Sequence, residues 1–381
     1  MIKGTGKKAA GYLHQHPLAI IFTAWMALQV LIFIQSGIVT DFEAKKYIYE
    51  ADNLLSDGRY SSGNFLFYST QILLITLAKI TGSYPWLPVM VQLALNAFSI
   101  LLFFRLAQKF TGSMVRSVLV TLVFLAMYYY HLYNTYLFTE SIYFSLGIIY
   151  SYFLFCMKKP GWRNMVVLFL MVSLIYFTRP TGVFFIPATI VFIILKFYRK
   201  NAVVLLSAMA LAGIVLLYFL LNFALASGGE FDFLLPYLDE RVICGVPTIA
   251  IQHQITIPGE KNSVEGLWYV ITNYPGLFFK LAMKRFLAFW GMTRSFYSVP
   301  HNIFIAVYFY TLYALILYKI KRLLKYLPAE TGYFLTVIFF VMVTVMLSCD
   351  EWHNRFILPL LPFFLLMAAS LVPKQNSPHA K

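Results

Sequence analysis

The residues of this chain that could do chemistry stand at four places. The first is Asp41-Phe42-Glu43, two carboxylates two positions apart directly after an apolar run. In an extended or turn conformation such a pair converges on one hydroxyl or one metal ion. Partial desolvation at a water–lipid boundary raises carboxylate basicity, which suits proton abstraction. Acids that only mark the outer end of a helix would look the same. The second is Glu140 in Thr139-Glu140-Ser141, the one acid between Asp57 and Glu230. An ionisable group inside an apolar run is costly, so Glu140 is either functional or a boundary carboxylate held by Thr139 or Tyr133. The third is Arg179 in Thr178-Arg179-Pro180-Thr181-Gly182. A guanidinium beside a helix breaker binds phosphate or carboxylate bidentately, although Arg179 taken alone reads better as an anchor snorkelling to lipid headgroups. The fourth is Cys349-Asp350-Glu351-Trp352-His353-Asn354-Arg355, with Pro359 and Pro362 behind it. His353 and Arg355 there supply donors and positive charge.

A carboxylate base together with cations is what a reaction needs when a hydroxyl loses its proton and a phosphate departs. Metal chemistry built on imidazole has less support. His131, His253, His301 and His353 show no HxxxH-type spacing. There are three cysteines and no CxxC, and Cys244 and Cys349 fall on the same predicted side, where a disulfide can form. A further basic group, Lys280, Lys284 and Arg285, follows Pro275 in a stretch rich in Phe, Leu and Trp. Helical spacing puts Lys280 and Lys284 on one face with Arg285 beside them, and Phe278, Leu281, Ala282, Phe286 and Phe289 on much of the rest. That pattern predicts a helix lying in the membrane interface, its apolar side in lipid and its basic side held by anionic headgroups or lining an entrance for an anionic lipid.

The scaffold for these groups is a membrane. Of the 381 residues, 60% are hydrophobic and 12% charged, about half the charged share of a soluble domain. Apolar stretches near bilayer length recur at 18–39, 85–104, 117–130, 136–156, 165–177, 182–194, 203–226, 303–318, 332–347 and 356–371. The basic N-terminus followed by a long apolar run predicts an uncleaved first helix rather than a signal peptide. The segment 65–80 is apolar too, but counting it as a span would move Arg105, Lys109 and Arg116 outside, so it is expected to lie on or dip into the outer leaflet.

With the N-terminus inside, 18 of the 30 Lys and Arg and one of the 15 Asp and Glu fall inside, which is +17. The other 12 bases and 14 acids fall outside, which is −2, and the two sides give the net +15. A wrong number of crossings would scramble this separation. The positive charge is therefore a topology signal, and the chain carries no nucleic-acid motif. Polar residues gather in three outer loops, 40–63, 227–301 and 349–355, which is where function is expected.

In this order the features resemble the GT-C glycosyltransferases, nearest the branch of the protein O-mannosyltransferases and the lipid A aminoarabinose transferases. Asp41-Phe42-Glu43 stands where that family has its acidic first-loop motif, although Phe42 intervenes between acids that are often adjacent. An apolar outer segment ending in Gly82, Thr139-Glu140-Ser141, Arg179-Pro180-Thr181-Gly182, Asn273-Tyr274-Pro275 with the helix to Phe289-Trp290, and Arg355 with Pro359 and Pro362 resemble later family features.

The resemblance implies an all-α polytopic membrane protein, a GT-C-like bundle of about ten transmembrane helices forming one domain. It implies transfer of a sugar from a polyprenyl-phosphate carrier to a lipid, glycan or protein acceptor on the extracytoplasmic face, as a single inverting displacement. Catalytic roles fall to Asp41 as base, Glu43 as an orienting or metal-binding partner, and Glu140. Carrier-phosphate contacts fall to Arg179, Arg355, His353, Lys280 and Lys284. A divalent metal ion is the candidate cofactor. The expected location is a bacterial inner membrane with both termini cytoplasmic. The competing readings are a lipid-linked glycan flippase or other transporter, and a glycan polymerase.

Overall fold

The computed structural model describes residues 13–226, 234–246, 263–351 and 353–371. The basic residues Lys3, Lys7, Lys8, Lys374 and Lys381, together with His253 and most of the predicted outer loop before Val264, lie outside the described residues.

Each of the ten apolar stretches is helical, but they differ in length. Among the described residues, five helices are long and apolar enough to cross a membrane: Pro17–Ser36, Trp86–Thr111, Pro180–Phe197, Val299–Tyr326 and Pro328–Leu347. A sixth is the bent pair Met114–Leu125 and Tyr128–Thr135, which turns by 72° at its break. Glu140–Cys156 and Trp162–Tyr176 have 17 and 15 residues, shorter than the roughly 20 that a ~30 Å hydrocarbon core requires. Ala202–Ala226 is a continuous helix of 25 residues. The first helix begins on Pro17, whose missing N–H costs nothing at that position, and stops at Gly37, which has φ +58°. It is apolar all round: Phe22 and Ile34 are exposed while Ile21 and Ile32 are buried, as suits a helix bathed in lipid.

The expected straight span at 117–130 is broken. The backbone of Met127 leaves the helical region with ψ 81°. The chain beyond it is captured by buried polar groups of other helices. Gln92 Nε2 donates to Tyr136 O at 2.8 Å, Asn134 Nδ2 to Gln29 Oε1 at 3.0 Å, and Ser141 Oγ to Asn134 Oδ1 at 2.7 Å. In an apolar interior these bonds outweigh what a straight helix would gain. The segment expected at the outer leaflet is a 3-10 turn, Gly63–Tyr68, and a helix Ser69–Ile80 of 12 residues. That helix is too short to span and packs along Ala44–Ser56.

Trp86–Thr111 is the central helix, packed on Glu140–Cys156, Met114–Leu125, Ser69–Ile80 and Leu361–Ala369. Phe185–Phe197 lies along Pro328–Leu347. Gly332 makes that approach possible, since a Cβ there would stand 2.7 Å from Leu195 Cδ1.

The helix ends collect into two groups. At one end Lys109 donates to Phe155 O, Lys196 to Met157 O at 3.0 Å, and Lys319 to Ser370 O at 3.2 Å. Ammonium groups there meet the free carbonyls of helix C-termini. The other end gathers the turns after Ser36, Leu125, Tyr176 and Leu347, and holds the acidic residues described below. It also carries a parallel pair of two-residue strands, β1 Ile243–Cys244 and β2 Asp350–Glu351. A Cys244–Cys349 disulfide with Cα atoms 5.4 Å apart closes beside them.

The helix Pro275–Gly291 corrects one expectation. Lys280 and Lys284 are exposed, but Arg285 does not accompany them to the surface; it is fully buried. Its guanidinium donates to Arg241 O at 2.9 Å, Pro236 O at 3.0 Å and Met346 O at 3.2 Å, and lies over the Tyr237 ring. Phe278, Leu281, Ala282 and Phe289 are likewise buried against protein, and the exposed apolar side chains are Phe279, Met283 and Leu287. The carbonyls that receive Arg285 come from the 234–246 segment and from the end of Pro328–Leu347, partners that helical spacing does not reveal.

Candidate functional site

Four short segments build the site. After the first helix, Val39 pairs with Tyr136: its N–H donates to Thr135 O at 3.0 Å and its carbonyl accepts from Leu137 at 3.1 Å. This fixes the Asp41 loop against the segment that leads into Glu140. Phe42 then takes φ +55°, a conformation costly for a bulky side chain. Glu43 stands at the N-cap position of the helix Ala44–Ser56, its side chain turned to other partners. Its carboxylate accepts from Tyr47 Oη at 2.8 Å, pairs with Lys46 at 2.8 Å, and pairs with Arg355.

Glu140 is the first residue of Glu140–Cys156, where the helix dipole favours negative charge, and is fully buried. Its Oε1 receives Arg355 Nη1 at 2.8 Å and also Arg179 Nη1. Arg179 is held by a tight reversal: its N–H donates to Ile175 O and its carbonyl accepts from Gly182 at 2.9 Å. Gly182 is required there, since a Cβ would stand 2.8 Å from backbone atoms of Ile175 and Tyr176.

Arg355 is the hub. Besides Glu43 and Glu140 it donates through Nη2 to Glu351 at 3.0 Å. Glu43, Glu140 and Glu351 against Lys46, Arg179 and Arg355 make three charges of each sign. Burial opposes ionisation of Glu43, but Arg355, Lys46 and Arg179 outweigh it and hold its carboxyl below the usual carboxylate range. For Arg355 burial works against the charge, while Glu140, Glu43 and Glu351 raise its pKa.

The loop carrying Arg355 is itself clamped. The disulfide and the β1–β2 pair tie Cys349–Glu351 to the 241–246 segment. Arg294 pairs with Asp350, both side chains 2% exposed, and Asn354 Nδ2 donates to Met292 O at 2.8 Å. Burial pushes the Asp350 carboxyl up to about 6, with Arg294 opposing.

Beside the cluster lies a cavity of about 300 Å³ whose wall includes Glu43, Arg355, His353, Asn354 and His301 among aromatic rings. The His301 ring is stacked between Tyr129, 4.2 Å between centroids, and Tyr297, 4.1 Å. The break after Leu125 supplies much of the remaining wall, through Tyr133, Tyr136 and Phe138. Among the described residues, four that are not glycine have positive φ, and three of them, Phe42, Met292 and Asn354, line this cavity. Backbone strain of that kind concentrates where ligands are held. Three polar atoms of residues that line the cavity, His301 Nε2, Asn354 Oδ1 and Arg355 Nε, are buried with no hydrogen-bond partner among the described residues.

The structure thus brings together Glu43, Glu140, Arg179 and Arg355, and puts His353 on the cavity wall. It does not bring in Asp41, Lys280 or Lys284. The Asp41 side chain is 64% exposed and pairs with Lys45 at 3.0 Å; neither it nor the two lysines line the cavity. Glu351, Asn354 and His301 were named in the sequence without a role in the site, and Lys46 and Tyr47 were not singled out. The spacing of Glu351 four residues before Arg355 was the one available signal. Among the described residues no three His, Cys, Asp or Glu side chains stand together as metal ligands. Glu43 and Glu140 take cationic side chains as counter-charge instead.

No family model, curated protein or solved structure matches this chain. The functional reading therefore stands on the site itself, within an all-α chain whose described residues include five or six helices long and apolar enough to cross a membrane.

Proposed function

We propose that this chain is a membrane glycosyltransferase of the GT-C kind, moving a sugar from a polyprenyl-phosphate carrier to an acceptor hydroxyl on the extracytoplasmic face of a bacterial inner membrane. In this reading the ten apolar helices all cross or enter the bilayer, and both termini are cytoplasmic. The shorter helices are accommodated beside the bent pair and by local thinning. The Cys244–Cys349 disulfide supports assigning the site to the oxidising side.

One observation carries the reading. Carboxylates and arginines from sequence-distant segments converge at one end of an apolar bundle, against a strained, aromatic-walled cavity. In the displacement, the acceptor oxygen gives its proton to a carboxylate and bonds to the anomeric carbon. The bond from that carbon to the phosphate oxygen breaks, and the phosphate leaves with the electron pair. Arg355, the arginine on the cavity wall, meets the charge developing on that phosphate. Arg179 acts through Glu140.

Glu43 is a poor base because its cations stabilise the ionised form. The base role is assigned instead to Asp41, which stands off the wall paired among the described residues with exposed Lys45, next to Phe42, which is part of the wall. The test is mass spectrometry of envelope glycans in a deletion strain complemented with wild type or Arg355→Ala. Loss of a one-sugar increment, restored by wild type alone, is expected. An unchanged glycan profile would overturn the assignment.

A further inference from the structure

We propose that the cavity walled by His301, Asn354 and Arg355 is the sugar subsite, and that it selects an uncharged monosaccharide. This rests on the glycosyl-donor reading above. Its volume of about 300 Å³ is at the low end of ligand pockets, which span roughly 300–1,000 Å³. That is room for one ring, not an oligosaccharide.

The charge inventory of the wall decides the selectivity. Glu43 is engaged by Arg355, Lys46 and Tyr47. Burial, then Arg355, depresses the His353 pKa, which keeps its imidazole neutral at pH 7. Arg355 is the one cation on the wall, and in transfer it is taken up by the carrier phosphate. A uronate would need a second cation there and an amino sugar would need a spare carboxylate. Among the described residues the wall supplies neither, and an unpaired charge is strongly disfavoured in so apolar a lining.

What the wall does supply fits hydroxyl groups. Asn354 Oδ1 is a fixed acceptor, and His301 Nε2 accepts or donates according to tautomer. Asn354 is 3% exposed and is held by its bond to Met292 O. Stacking between Tyr129 and Tyr297 holds the imidazole plane, and its Nε2 has no hydrogen-bond partner among the described residues. Both groups are preorganised, so a sugar hydroxyl pays little ordering entropy to meet them. The surrounding Tyr and Phe rings suit the apolar C–H face of a pyranose.

The experiment measures binding without acceptor, by native mass spectrometry of the full-length protein in detergent. The probes are undecaprenyl phosphate and its monosaccharide forms bearing a neutral hexose, an amino pentose or a hexuronate. Wild type should bind the neutral hexose form about tenfold more tightly than the bare carrier, the scale of one or two neutral hydrogen bonds. The charged sugars should show no such gain. His301→Phe keeps the stacked plate and deletes the nitrogen. Asn354→Gly removes the amide at a backbone conformation glycine adopts freely. His301→Phe should abolish most of the gain and leave bare-carrier binding intact, and Asn354→Gly, which also frees one clamp of the Arg355 loop, should abolish most of the gain relative to its own bare-carrier binding. A gain that survives both substitutions, or an equal gain with a charged sugar, would overturn the subsite. Equal binding of the bare and neutral-hexose forms by wild type would overturn it too. If wild type binds no polyprenyl phosphate at all, the glycosyl-donor reading falls, and the subsite with it.

Discussion

Arg355 Nη1 lies 2.8 Å from Glu140 Oε1, although the two residues are 215 positions apart. The same oxygen also receives Arg179, and Glu140 is wholly buried. A buried carboxylate shared by two guanidiniums lets one arginine be removed without leaving the acid uncompensated. Arg355 lines the cavity and Arg179 does not, so the two differ in what their loss does.

Arg355→Ala should lower transfer at least ~10²-fold, as expected for losing a cation aimed at a developing negative charge. It should also raise the apparent KM for lipid donor more than that for acceptor. Arg179→Ala should act more on stability, by about 2 kcal/mol, the scale of losing a hydrogen bond to a charged group while Arg355 still compensates Glu140. Donor titrations and thermal unfolding of the two purified variants separate these effects. Equal effects of Arg355→Ala on donor and acceptor would remove it from the phosphate.

Asp41→Asn should lower turnover ~10²-fold or more while leaving the unfolding temperature within experimental scatter. Removing a general base is costly to rate, and an exposed ion pair contributes only about 0–1 kcal/mol. Near-normal turnover in Asp41→Asn would transfer the base role to Glu140, the next carboxylate of the cluster.

Two carboxyls give opposite signatures with pH. The folded-state pKa of Glu43 lies below its ordinary 4.5, so its stabilisation is present above about pH 4.5 and is lost as pH falls through the depressed value. Asp350 is raised from 3.8 to about 6, so its contribution is full below about pH 3.8 and is lost as pH rises through 6. The unfolding-temperature advantage of wild type over Glu43→Gln should therefore shrink below pH 4.5. Its advantage over Asp350→Asn should shrink between pH 4 and 7. Parallel trends in both comparisons would contradict the two environments.

Much of the charged cluster was legible because ionisable side chains are scarce in an apolar chain, and each marks a site by its cost. Glu43, Glu140, Arg179 and Arg355 were readable for that reason. The division between Asp41 and Glu43 was not, since it depends on Phe42 adopting φ +55°, which no pattern of bulky residues encodes. Arg285 escaped for a different reason. Its helical spacing places it near Lys284, yet its partners are carbonyls of Pro236 and Arg241, in a segment whose fixed position depends on the Cys244–Cys349 link. The break at Met127 was hidden inside an unbroken apolar run, because what turns the chain is a polar group, Gln92, on another helix.

The topology can be read with the native thiol. Cys156 is exposed at the end of Glu140–Cys156 opposite the charged cluster, and the other two cysteines form the disulfide. A membrane-impermeant maleimide should label wild type only after permeabilisation. In a Cys156→Ser background, a cysteine at Ser62 should react from outside, and cysteines at Ser113 and Asn201 only from inside. Positions 227 and 262, which complete the outer set, lie outside the described residues. Labelling of Ser113→Cys from outside would reverse the assigned face and remove the basis for the proposed reaction.

The lysines of Pro275–Gly291 remain to be assigned. Lys280 and Lys284 are one turn apart, and Phe279, Met283 and Leu287, also spaced by four, are the exposed apolar side chains beside them. A helix face that is both apolar and basic suits the headgroup level of a bilayer, where alkyl stems and rings enter the acyl boundary and ammonium groups meet phosphates. An anionic lipid donor reaches the site through that same layer. The lysines are not on the cavity wall, so their effect on catalysis must come through local donor concentration rather than through the reacting phosphate. Lys280→Gln with Lys284→Gln should therefore raise the apparent KM for donor by up to about thirtyfold, on a scale of about 1 kcal/mol per basic residue near a charged surface. It should leave kcat unchanged. The effect should fade as salt approaches about 1 M, where the Debye length is roughly 3 Å. A KM that does not move at low salt would assign these lysines to headgroup anchoring alone, and a fall in kcat would place them closer to the reacting phosphate than the structure does.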